Sequence, residues 1–193
     1  MDNANILMDL YSAYNEPNRH YHNLGHIGRM FWIAKEQEIL LSEDQIIAIW
    51  FHDVVYNVPR LELSNEILSA QEALRYLSGI LHDDFFINNV VTIIKDTEKE
   101  LPSINESEIV IDLDLFDLAD DQRYKSNGIL IRKEYACFND EEFKRGRIAW
   151  INSMLERKSI YVSKKFNTDE MNGAARSNLT RELLFLERGI NLC

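Results

Sequence analysis

Two adjacent residues, His52 and Asp53, close an unusually apolar segment, Ile46-Ile47-Ala48-Ile49-Trp50-Phe51. An imidazole and a carboxylate placed there are costly unless both are satisfied. A structural His–Asp pair meets that need at a helix C-terminus, where a cation is welcome. A shared metal ion meets it chemically. His22 and His26 stand at i and i+4, a spacing that brings two side chains to one helical face. With His20, four of the five histidines fall between positions 20 and 52; the fifth is His82.

A third cluster reads Ile111-Asp112-Leu113-Asp114-Leu115-Phe116-Asp117-Leu118. In a helix, Asp112 and Asp114 point about 200° apart, so both cannot be solvated while the neighbouring leucines are buried. At least one faces inward or into a cleft, where a carboxylate needs a cation, a metal or hydrogen-bond donors. A capped helix start with one exposed aspartate is the alternative. Two imidazoles and two carboxylates form a mixed nitrogen and oxygen set. Such a set suits Mn, Fe, Co, Ni or Zn, and Mg where more water completes the shell. It is not the thiolate set of a structural zinc. Open positions on such an ion activate water and hold a phosphoryl oxygen.

The elements that must position these residues read as helices. Ile6, Leu7, Leu10, Tyr11 and Tyr14 form a stripe that Pro17 stops. A second helix is expected from a cap at Asn23 to about Leu41, with Ile27, Met30, Phe31 and Ala34 on one face. Ser42-Glu43-Asp44-Gln45 has the form of a capping box and opens a third helix, closed by Pro59. Further helices are expected over Ser64–Leu77, Phe85–Lys95 and Asn105–Ala119, one or two over Glu134–Glu156, and a polar-rich one over Thr168–Glu187. Val90–Ile94 and Ile109–Ile111 have strand-like composition, yet no alternating run with hairpin turns supports a sheet. The expected fold class is all-α, a single compact helical domain over residues 1–193.

Composition narrows the function. The 193 residues carry 21 Lys and Arg against 32 Asp and Glu, a net charge of −11. That argues against broad binding to a nucleic-acid backbone, which needs a positive face, but not against a small anionic substrate held by local cations or a metal. Lys144-Arg145 with Arg147, and Lys164-Lys165, read as solvated helix surface. Cys137 and Cys193 make neither a metal-ligand spacing nor a disulfide framework. The start at Met1-Asp2 lacks the basic and apolar regions of a signal peptide. The longest stretch free of charge, Phe85–Ile94, is ten residues, where a membrane span needs about 20. A cytoplasmic protein with no membrane partner is expected. Asn105 and Asn178 then match the glycosylation pattern by chance. Leu179, Leu183, Leu184 and Leu186 are compatible with packing on the chain's own core or on a second copy.

The order His26, His52-Asp53, and then a late aspartate resembles the HD superfamily of metal-dependent phosphohydrolases, and in particular its small bacterial branch. The marks of that branch stand here as Arg19-His20-Tyr21-His22-Asn23 with His26 and as Trp50-Phe51-His52-Asp53-Val54-Val55-Tyr56. They continue as Asn65-Glu66 with Ser69-Ala70, as Asp112-Leu113-Asp114-Leu115 and as Arg132-Lys133-Glu134-Tyr135. The resemblance implies an all-helical HD-like bundle whose site draws on segments around 19–26, 52–66 and 112–114. It implies one divalent ion held by His26, His52, Asp53 and one of Asp112 and Asp114. Asp114 is favoured because the last aspartate of the superfamily follows a small or apolar residue. The resemblance also implies that Arg19, His22 and Arg132 contact a small phosphorylated substrate such as a nucleotide, with Tyr21, Trp32, Trp50 and Tyr56 available for stacking. Asp53 would serve catalysis as well as ligation. The sequence departs from relatives in two places: Ile94-Lys95-Asp96-Thr97-Glu98 lacks their histidine, and Tyr56 stands where some carry glutamate. Glu66 becomes the candidate for proton transfer. A metal- and nucleotide-binding module without turnover, and a purely structural helical protein, are the alternatives.

Overall fold

Helical spacing becomes helix nearly everywhere it is expected. The structure, a computed structural model, describes residues 3–80 and 83–188. His82, Cys193 and the Met1-Asp2 start lie outside them. Among the described residues all regular structure is helical, and no helix is long and apolar enough to cross a membrane. Within the single domain expected from length, two compact units are distinguished, Met1–Leu113 and Asp114–Cys193.

The first unit contains α1 (Asn3–Tyr14), α2 (Leu24–Glu36), α3 (Glu43–Phe51), α4 (Asn65–Ser78), α5 (Asp84–Asp96) and nearly all of α6 (Asn105–Leu115). Its core is built around α3, which packs on α2, α4 and α5, while α4 packs on α5. Ile27, Met30, Ile33, Ala48, Ile49, Ala73, Val90, Ile93 and Ile94 are closed to solvent. The strand-like runs Val90–Ile94 and Ile109–Ile111 lie inside α5 and α6. Burial on several sides explains their composition without a sheet. Tyr14 Oη donates to the Trp50 carbonyl at 2.9 Å and ties α1 to the last turn of α3.

Caps set several boundaries. The Asn23 side chain accepts from Gly25 N–H at 2.8 Å, and the Ser42 N–H donates to Gln45 Oε1 at 3.0 Å. Two ends differ from expectation. α2 stops at Glu36 rather than Leu41, because Glu38 takes a left-handed conformation with φ 55°. The Ile39 N–H returns to the Ala34 carbonyl at 2.8 Å and the Glu38 N–H to the Lys35 carbonyl at 3.1 Å. This is the Schellman pattern, made without the glycine that usually announces it. α3 stops at Phe51, well short of Pro59, for a reason given below.

The second unit contains the end of α6, a 3-10 turn (Phe116–Ala119), α7 (Asp121–Glu134), α8 (Asp140–Glu156) and α9 (Asp169–Glu187). α9 packs on the 3-10 turn, α7 and α8, around Ile151, Met154, Tyr161, Ala175 and Leu179. α7 was not expected. Its apolar stripe is weak, and its start depends on Asp120, whose carboxylate accepts from the Gln122 and Arg123 N–H groups at 3.0 Å. Arg147 also departs from the solvated reading given to its basic patch. Its Nε and Nη2 donate to the Glu182 carboxylate at 2.9 and 3.0 Å, with both side chains about one-tenth exposed. Tyr124 Oη also donates to Glu182. Lys164 and Lys165 are exposed as expected.

Candidate metal centre

The two ends of α2 and α3 meet. His26 sits in the first turn of α2 and His52 caps α3. Their Nε2 atoms are 3.3 Å apart, and both residues are buried. Asp53 follows directly, its Oδ2 3.1 Å from His52 Nε2 and 3.7 Å from His26 Nε2. His26, His52 and Asp114 each offer a ligand atom, and these lie within 4.8 Å of one another. Asp114 stands in the last turn of α6, and that helix sets its position.

The donor chemistry fits a divalent ion. A triangle with sides of 3.3, 3.1 and 3.7 Å has a circumscribed radius of about 2.0 Å, close to the roughly 2.0–2.2 Å of metal–nitrogen and metal–carboxylate bonds. The tautomer fits as well. His52 Nδ1 lies 2.9 Å from the Ile49 carbonyl. A carbonyl only accepts, so a proton resides on Nδ1, and Nε2 is the nitrogen that faces His26 and Asp53 and would ligate an ion. Histidines that bind metals are commonly oriented in this way.

Electrostatics keep Asp53 in the ligating form. Burial alone pushes its carboxyl upward. The imidazoles of His52, His22 and His26, with a hydrogen bond from His52, outweigh burial and hold it well below the usual carboxylate range.

The structure locates the remaining candidates as follows. His22 precedes the Asn23 cap, so it is not on α2 as the i, i+4 reading required. It still approaches His26, with ring centroids 5.9 Å apart, and stacks on Tyr56 at 3.9 Å. Tyr21 sits edge-on to His22 and 5.1 Å from His26. Trp32 is half exposed with Arg29 over its ring. Asp112 is fully buried and Asp114 half-buried, and the neighbouring Leu113 and Leu115 are buried. Asp112 thus faces inward, as the angular argument requires of at least one of the two. Glu66 Oε2 accepts from Arg60 Nη2 at 2.9 Å, and Arg60 also bridges to Glu98. Arg132 makes its contacts inside the second unit, to the Tyr135 and Phe138 carbonyls and to Asp140, beside a cavity of about 230 Å3.

Three positions matter in ways their residue types alone did not reveal. Arg19 is buried and donates to the carbonyls of His22 at 3.2 Å, Asp53 at 2.5 Å and Val54 at 2.7 Å. Beyond the last helical bond, from the His52 N–H to Ala48, the Asp53 and Val54 carbonyls accept from this side chain rather than from a further helical turn. Ser69 Oγ accepts from the Val55 N–H at 3.1 Å. Asn65 Oδ1 accepts from the Asn57 N–H at 2.9 Å, and its Nδ2 donates back to the Asn57 carbonyl. For Ser69 and Asn65 the signal was a polar residue within a motif and without an assigned purpose, whereas Arg19 was expected to contact substrate.

Comparison with family models, with curated proteins and with solved structures returns no match to this chain.

Proposed function

We propose that this chain is a metal-dependent phosphohydrolase of the HD type, acting on a small phosphoester such as a nucleotide in a cytoplasmic setting. The observation that supports the reading is the triangle of His26 Nε2, His52 Nε2 and Asp53 Oδ2, with Asp114 close by. These four residues would hold one divalent ion. Such an ion supplies Lewis acidity toward a phosphoryl oxygen and lowers the pKa of water.

The chain's residues do the rest. The Ile49 carbonyl keeps His52 in its ligating tautomer. The three imidazoles keep Asp53 ionised. Tyr21, His22 and Tyr56 form an aromatic wall beside the histidines, suited to a planar group on the substrate. Substrate contact falls to His22 in this proposal. Glu66 stays the candidate for proton transfer, its carboxylate paired with the half-exposed Arg60.

The test is metal content of natively purified wild type and His52→Ala, followed by phosphate release from a panel of phosphoesters with Mn, Co, Ni and Mg. About one equivalent of metal in wild type, lost in the variant, with metal-dependent release, is the expected result. The engagement of Glu66 by Arg60 favours a second reading, a metal-binding module without turnover. Metal bound with no release from any phosphoester would establish that module and overturn the enzyme. No metal in wild type after soaking would overturn both.

A further inference from the structure

Arg19 was expected to meet a phosphoryl oxygen. Its donors are turned elsewhere. Nη1 reaches the His22 and Asp53 carbonyls, Nη2 reaches the Val54 carbonyl, and Nε reaches Glu16 Oε2 at 3.1 Å. Four of its five N–H donors are thereby engaged if each bond takes one hydrogen. The guanidinium lies between the Tyr14 and Tyr56 rings, 5.4 and 5.7 Å from their centroids, and the side chain is 3% exposed.

The acceptors identify its task. One is the carbonyl of Asp53, and a second belongs to the next residue. The third is that of His22, just before the cap of the helix carrying His26. One planar cation thus fastens the two chain segments from which His26, His52 and Asp53 project. A guanidinium fixes several acceptors in a plane, which a lysine ammonium cannot reproduce.

We infer that Arg19 is a positioning residue of the metal centre, setting the His26–His52–Asp53 geometry through the backbone rather than binding substrate. The inference rests on the metal-centre reading above. The effect of removing such a support is on the order of 10–100-fold in metal affinity.

Cobalt(II) titration of the full chain tests it, read by visible absorption and affinity, together with binding of inorganic phosphate. Arg19→Lys is expected to bind cobalt at least tenfold more weakly, with an altered visible spectrum. Arg19→Ala supplemented with methylguanidinium is expected to recover the wild-type spectrum, which keeps the test open if Arg19→Lys does not fold. Glu16→Ala, which removes only the solvent-facing contact, is expected to match wild type. Cobalt affinity and spectrum unchanged in Arg19→Lys, with phosphate binding weakened, would overturn the inference and return Arg19 to the substrate. An unchanged spectrum in Arg19→Ala without methylguanidinium would also overturn it. Failure of wild type to bind cobalt would instead overturn the metal-centre reading on which the inference rests.

Discussion

Replacing Asp114 with asparagine tests the fourth donor while disturbing little else. The side chain is half-buried at the end of α6, and asparagine keeps its shape. The ligand atoms of His26, His52 and Asp114 come within 4.8 Å of one another only in the folded chain, so metal binding stabilises the native state by mass action. With a dissociation constant of about 1 µM and about 100 µM ion, the gain is about 2.7 kcal/mol. For a chain of this size about 1 kcal/mol moves the melting temperature by roughly 2–4 °C, giving a rise of roughly 5–11 °C. A hundredfold loss of affinity in Asp114→Asn leaves a gain of about 0.4 kcal/mol, or roughly 1–2 °C. The assay is thermal unfolding of chelator-stripped, tag-free protein with and without Mn, Co, Ni or Zn. A metal-induced rise in Asp114→Asn equal to that of wild type would refute the assignment of Asp114. Absence of any rise in wild type would refute the site.

Four further outcomes are expected. Glu182→Ala leaves the buried Arg147 uncompensated and should cost about 3–5 kcal/mol in urea unfolding; a loss below about 1 kcal/mol would show that solvent reaches the pair. Burial first, and Glu182 second, push the Tyr124 phenol above its ordinary value despite Arg147. The folded state therefore holds that proton more tightly, so this contribution is present below about pH 10 and lost as pH rises further; the alkaline loss of stability should be shallower in Tyr124→Phe. Asn23→Ala removes the cap of α2 and the donor to the Arg19 and His20 carbonyls, at about 1–2 kcal/mol, whereas Arg60→Met breaks only half-exposed pairs and should cost less than about 1 kcal/mol.

Much of this was legible in the sequence, and particular residues show why. The helices announced by caps and stripes, such as Ser64 before α4 and Thr168 before α9, stand within a residue or two of expectation because those signals are local. α7 has few apolar residues and hid behind a single capping aspartate. The ends of α2 and α3 were not legible. One depends on a glutamate accepting a left-handed conformation, and the other on an arginine more than thirty residues upstream in the chain. His52, Asp53 and the pair Asp112 and Asp114 stood out because placing such groups in apolar surroundings is costly and demands a reason, whereas the choice of His26 and of Asp114 followed the resemblance. The engagements of Arg19, Glu66 and Arg147 were not readable, since a charged side chain's partner is fixed by tertiary structure alone.

The acceptor for His52 Nδ1 is a carbonyl three residues back in its own helix. The choice of tautomer is therefore made by secondary structure, before any long-range contact forms. His26 and Asp53 come to a ring that is already aimed. The vulnerability is equally local: fraying of the last turn of α3 would free the ring to flip while the core stayed intact. Hydrogen exchange at the His52 amide, which donates to the Ala48 carbonyl in that turn, would report such loosening separately from global unfolding.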